Sequence, residues 1–138
     1  MPNEDELQPA SVEYTSEFKR NLRQLAKRYR RIKTDVQPLL DALAQGQTPG
    51  DQVPGVAYEV YKVRAQNTDS GKGKSGGYRI LYQRRVEGTI VLVTIYSKTE
   101  QGDIAPHEIR QILLDYASQS EETNEPGREV TPSEPVTE

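Results

Sequence analysis

The hydrophobic period of this chain changes once, and that change restricts the fold more than any other feature. Phe18, Leu22, Leu25 and Tyr29 recur at i, i+4, i+7 and i+11, a stripe at helical spacing. Thr15 or Ser16 suits its N-cap. Val36, Leu39, Leu40 and Leu43 form a second helical face, expected over Asp35–Gln45, with Pro38 in the first turn and Gly46 as the stop. Beyond the Pro- and Gly-rich stretch 46–55, expected to be a loop, the period becomes two. Tyr58–Arg64, Tyr78–Gln83 and Ile90–Ser97 are rich in Val, Ile, Leu and Tyr and read as strands. A turn through Glu87 and Gly88 makes the last two an antiparallel hairpin. Val12 and Tyr14 suggest a short strand ahead of the helices. Ile109, Ile112, Leu113 and Tyr116 mark a terminal helix, with Asp103 as its cap and Pro106 in its first turn. The order strand-helix-helix-strand-strand-strand-helix defines an α+β domain, a small antiparallel or mixed sheet with helices on one face.

The charge is divided as sharply as the period. The net charge of -3 conceals a middle section, 16–116, with seventeen Lys/Arg against eleven Asp/Glu. Residues 1–15 hold four acidic groups and no basic one, and 117–138 hold six acidic groups against Arg128. Three parts are expected: a disordered acidic N-terminus over 1–10, a folded domain over 11–117, and a disordered acidic tail over 118–138. A basic domain of this kind suits a polyanionic partner. The tail could fold back on the basic face or serve only as a solubilising segment.

Several chemistries are excluded or disfavoured by composition. With no cysteine there is no disulfide, thiolate metal site or thiol nucleophile. A single histidine, His107, rules out a histidine-pair ribonuclease, and no His/Asp/Glu set has metal-ligand spacing. No metal and no cofactor are expected. No apolar run reaches the roughly 18 residues of a membrane span, so the expectation is a cytoplasmic protein with no membrane contact.

What remains is a cationic surface. Strand alternation sets Lys62 and Arg64 on one face of their strand, with Tyr61 and Val63 on the other. Arg79 lies between Tyr78 and Ile80 and so faces away from them, and Tyr96 shares parity with Lys98 at the exit of the last strand. If consecutive strands pair, these groups converge, and Lys72 and Lys74 from the glycine-rich loop Gln66–Gly76 can join them. A phosphate backbone with a base stacked beside it fits such a cleft. A basic sheet face is also what an ordinary solvated surface looks like. The same holds for Arg23 and Lys27 on the first helix, where RNA contact competes with simple solvation.

The segment YKVRAQNTDSGKGKSGGYRILYQRR, followed by IVLVTIYSKTEQGDI and a terminal helix, resembles the RelE/ParE superfamily of type II toxins, most closely its HigB-like branch. With the two preceding helices the likeness covers about Glu13–Tyr116. It implies a RelE-like fold, a cognate antitoxin protein as partner, and a ribosome-dependent mRNA interferase, a metal-independent endoribonuclease that inhibits translation. By the same resemblance Lys62 and Arg64 match the paired basic positions, Arg79 the arginine of the glycine-rich segment, Tyr82 the aromatic after it, and Lys98 the lysine after the final strand. Some members carry a catalytic tyrosine near the start of the last helix, where this chain has Ala105 and Pro106, and an arginine near Thr99. Tyr96 and Lys98 are the replacements available. The expected catalytic set is therefore Lys62, Arg64, Arg79, Tyr96 and Lys98, with RNA contacts from Lys72, Lys74, Tyr82, Arg23 and Lys27. In that set clustered cations stabilise the phosphorane, and their mutual repulsion would make Lys62 a general base. The alternatives on the same fold are a ParE-like inhibitor of DNA gyrase and a non-catalytic member that binds RNA or its antitoxin.

Overall fold

The computed structural model describes residues 9–69 and 77–123, with side chains described as far as 119. Lys72, Lys74 and most of the two acidic ends lie outside the described residues. Among the described residues the elements are β1 (Val12–Tyr14), α1 (Ser16–Arg28), α2 (Ile32–Ala44), β2 (Asp51–Gln52), β3 (Val60–Ala65), β4 (Tyr78–Arg84), β5 (Ile90–Ser97) and α3 (Pro106–Thr123). The strands form one mixed sheet in the order β1-β5-β4-β3-β2. β1 runs parallel to β5, and every other pair is antiparallel. The α+β class and the order of elements are as expected. The two-residue edge strand β2 is an addition within the stretch expected to be loop, with Asp51 opposite Lys62 and Gln52 opposite Tyr61.

The helices do not share one face of the sheet. α1 and α2 cover one face, where Phe18, Leu25, Ile32, Val36 and Leu43 pack with Tyr78, Ile80, Tyr82, Ile90, Leu92 and Ile95. α3 covers part of the other, where Ile109 and Leu113 meet Val60, Leu81, Val91, Val93 and Tyr96. β5 is consequently buried along its whole length, as the run IVLVTIY, apolar but for Thr94, requires. A strand that is apolar at both parities needs a layer on each side.

Thr15 pins α1 to β5. Its hydroxyl accepts from the Phe18 N–H at 3.0 Å, as an N-cap should, and donates to the Val93 carbonyl at 2.6 Å. The Thr15 N–H also donates to the Leu92 carbonyl at 3.1 Å. α2 begins at Ile32 rather than Asp35, because the buried Ile32 extends the apolar stripe one turn further back. Pro38 therefore sits inside the helix, not in its first turn. The α2 N-cap, Arg31, has no side-chain cap, and its N–H donates instead to Asp69 Oδ2 at 2.7 Å. α3 continues past Tyr116 to Thr123, into the stretch read as tail. The Tyr116 hydroxyl ties it to β1 by donating to Glu13 Oε1 at 2.6 Å. No helix among the described residues is long and apolar enough to cross a membrane.

Candidate functional site

The α3 side of the sheet is only partly covered, and its open end carries the basic residues. Arg64 on β3 stands opposite Arg79 on β4, and Arg79 stands opposite Tyr96 on β5. The three form a row at one register across three adjacent strands. Lys62 lies two residues along β3, opposite Leu81. Lys62, Arg64 and Arg79 line a cleft of about 420 Å³ together with Gly50, Asp51 and Val63. Gly50 makes the close approach of β2 to β3 possible: its φ is +98°, and a Cβ there would lie 2.4 Å from the Lys62 carbonyl oxygen.

Tyr96 reaches this row because of an irregularity in β5. The β4–β5 ladder pairs Leu81 with Thr94 and then Tyr82 with Leu92, leaving Val93 as the extra residue of a β-bulge. Unbroken alternation from Ile90 and Leu92 would place Tyr96 in the α1 core. The bulge instead gives Thr94 and Ile95 to the α1 side, where Thr94 Oγ1 accepts from Asn21 Nδ2 at 3.0 Å. Tyr96 is thereby sent to the face of Arg79. Bulges commonly re-aim a side chain in this way beside a functional site.

Electrostatically the row is strained. Two guanidinium groups directly opposite each other repel, and among the described residues neither Arg64 nor Arg79 forms an ion pair. Lys62 and Lys98 are held differently, by one carboxylate. Asp103 Oδ1 lies 3.3 Å from Lys62 Nζ and 3.7 Å from Lys98 Nζ. It also accepts from the Tyr96 hydroxyl at 3.3 Å. The hydrogen bond and charge of Lys62, reinforced by Lys98, hold the Asp103 carboxyl below the usual carboxylate range. Burial pushes the Tyr96 phenol up to about 12, with the Asp103 charge adding to the shift and Arg79 opposing it. The site thus presents four basic side chains, the Asp51 and Asp103 carboxylates and one protonated phenol, a set able to grip a phosphate and to give a proton beside it.

A family model described as ParE toxin of the type II toxin-antitoxin system matches residues 12–102, from β1 to the loop after β5. The chain belongs to the ParE toxin family. Comparison with curated proteins gives no match. Membership in this toxin family implies a cognate antitoxin as partner, in agreement with the expectation from sequence.

Of the residues expected at the site, the ParE-family fold brings together Lys62, Arg64, Arg79, Tyr96 and Lys98. It separates others from them. Tyr82, expected to contact RNA, is fully buried on the opposite face, stacks on Tyr61 at 5.3 Å, and donates its hydroxyl to the Pro49 carbonyl. Parity explains this, since Tyr82 shares a face with Tyr78 and Ile80. Arg23 and Lys27 are exposed on α1, which covers that same opposite face, so they do not extend the cleft. His107 is exposed at the start of α3. Asp103 was expected to cap α3 and instead belongs to the site. The helix starts at Pro106, and the Ala105 N–H donates to Glu108 Oε1 at 3.1 Å. Among the described residues no group of three or more His, Asp or Glu is placed to hold a metal ion.

Proposed function

We propose that this ParE-family toxin is a ribosome-dependent endoribonuclease of the HigB-like type, acting in the cytoplasm until its antitoxin covers it. The observation that carries the reading is the row Arg64–Arg79–Tyr96, flanked by Lys62 and Lys98. It sets the planar forks of the exposed Arg64 and the half-buried Arg79 beside a protonated phenol whose ring is buried. In this reading Arg64 and Arg79 hold the scissile phosphate and stabilise charge on the phosphorane. The 2′-oxygen attacks phosphorus, the bond to the 5′-oxygen breaks, and the products are a 2′,3′-cyclic phosphate and a 5′-hydroxyl. Lys62 is the group for the 2′-hydroxyl proton, and the neutral Tyr96 phenol donates to the departing 5′-oxygen. Lys62 is paired with Asp103, so release of this carboxylate is part of the reading. Lys72 and Lys74, which lie outside the described residues, stay in this reading as RNA contacts only by their place in the chain between β3 and β4.

A second reading, inhibition of DNA gyrase without catalysis, is favoured by the ParE description of the matching family. Adding the purified protein to a translation reaction and, in parallel, to a gyrase supercoiling reaction separates the two. Loss of intact message with normal supercoiling supports the nuclease; blocked supercoiling with intact message supports the gyrase inhibitor.

A further inference from the structure

The two arginines are not the only hydrogen-bond donors on this face. A single oxygen atom, Asp103 Oδ1, is approached by three donors: Lys62 Nζ at 3.3 Å, Lys98 Nζ at 3.7 Å and the Tyr96 hydroxyl at 3.3 Å. The donors come from β3, from the residue after β5 and from β5 itself, so the sheet holds the backbones from which they reach. Asp103 does not belong to that framework. It sits on the loop between β5 and α3, just beyond the matched region, and its side chain is 59% exposed. The Tyr96 phenol, by contrast, is only 3% exposed and has its hydroxyl aimed at that one oxygen. One buried phenol and two lysines from adjoining backbone thus converge on the single oxygen of an exposed, loop-borne carboxylate.

We infer that Lys62, Lys98 and Tyr96 form a phosphate-oxygen subsite, adjoining the Arg64–Arg79 pair, in which the Asp103 carboxylate stands in for phosphate and must leave when phosphate binds. The inference rests on the reading of this face as an RNA-phosphate surface, but it concerns binding and not cleavage. Carboxylate and phosphate present the same oxygen acceptor to these donors, and phosphate carries more charge and further oxygens for the guanidinium groups. Asp103 therefore weakens phosphate binding twice, by occupying the donors and by repelling the incoming charge.

The test is binding of a short single-stranded RNA, by fluorescence anisotropy, and of inorganic tripolyphosphate, by calorimetry, to the full-length protein and its variants. Asp103→Asn keeps the shape and removes the charge, and Glu87→Gln, an exposed hairpin-turn residue, controls for net charge. Asp103→Asn is expected to bind at least one probe roughly fivefold more tightly than Glu87→Gln does, the Coulombic scale for one charge near 4 Å in water. Adding Lys98→Gln should cancel that gain. Tightening of RNA alone assigns the subsite to the diester backbone, and tightening of both assigns it to phosphate in general. Equal binding by Asp103→Asn and Glu87→Gln, including none by either, overturns the inference, as does a gain that survives Lys98→Gln undiminished. Since no step of the test requires cleavage, a tightened Asp103→Asn with intact mRNA would keep the subsite and remove only the nuclease reading.

Discussion

Arg64 and Arg79 stand directly opposite each other across the β3–β4 ladder, and among the described residues neither forms an ion pair. A fold selected for stability alone would not keep like charges at facing positions, where they oppose pairing. Neutralising one should therefore separate stability from function. Arg64→Gln is expected to leave the urea midpoint unchanged or raise it, while RNA cleavage falls at least about tenfold, the scale of a lost charge-assisted contact to phosphate. A lowered midpoint with full activity would show that the pair serves the fold instead.

Tyr96 contributes a ring to the core and a hydroxyl to the site. Tyr96→Phe keeps the ring packed against the α3 side, so the expected stability change is within about 1.5 kcal/mol, that of one hydrogen bond. Cleavage should fall by roughly 100-fold or more if the phenol protonates the leaving oxygen. Single-turnover cleavage of ribosome-bound message measures this, and full activity in the Phe variant would assign the proton to another group.

The same phenol makes the fold sensitive to alkali. Its folded-state value near 12 lies above the ordinary 10, so the neutral form is favoured by folding. The corresponding stability is fully present below pH 10 and is lost as pH rises through 12. Burial raises Tyr78 and Tyr82 in the same direction. Tyrosinate absorbance and circular dichroism should report ionisation and unfolding together, and Tyr96→Phe should move that transition to higher pH. An unchanged transition would contradict the burial argument for Tyr96.

Much of this arrangement is legible in the amino-acid sequence. The stripe Phe18–Leu22–Leu25–Tyr29 gave α1, and the period-two segments gave β3, β4 and β5 to within a few residues. Parity set Lys62 and Arg64 on one face of β3 and Arg79 away from Tyr78 and Ile80, and the pairing expected of consecutive strands brought the three together. Three things were hidden for physical reasons. No residue type marks the bulge at Val93, which is decided by how β5 pairs with β4, and without it Tyr96 would face α1. Asp103 looked like a helix cap because an acidic residue shortly before Pro106 satisfies that pattern, whereas its ion pairs depend on long-range placement of Lys62. Tyr82 matched a family position, but its own parity with Ile80 already placed it in the core.

Thr15 joins the cap of α1 to the bulged segment of β5, so its hydroxyl should matter more than an ordinary cap. Thr15→Val leaves the Phe18 N–H without its acceptor at a buried position, and the expected loss is about 1–3 kcal/mol. Thr15→Ser should recover most of it. Urea denaturation measures both, and a Val variant as stable as the native protein would show that the cap contributes nothing.

Gly50 tests the wall of the cleft. At φ +98°, with a Cβ 2.4 Å from the Lys62 carbonyl, Gly50→Ala must push β2 away from β3. Strain of this kind costs about 1–3 kcal/mol, and hydrogen exchange at Lys62 and Val53 should accelerate locally. Unaltered exchange would mean that β2 tolerates the displacement.

The central claim is that Arg79 and its neighbours cut mRNA on the ribosome, and primer extension on messages recovered from a translation reaction tests it most directly. The account predicts cuts within translated codons that appear only when ribosomes are present and disappear with Lys62→Ala combined with Arg79→Ala. Intact message with the native toxin, or cuts that persist undiminished in the double variant, would contradict it.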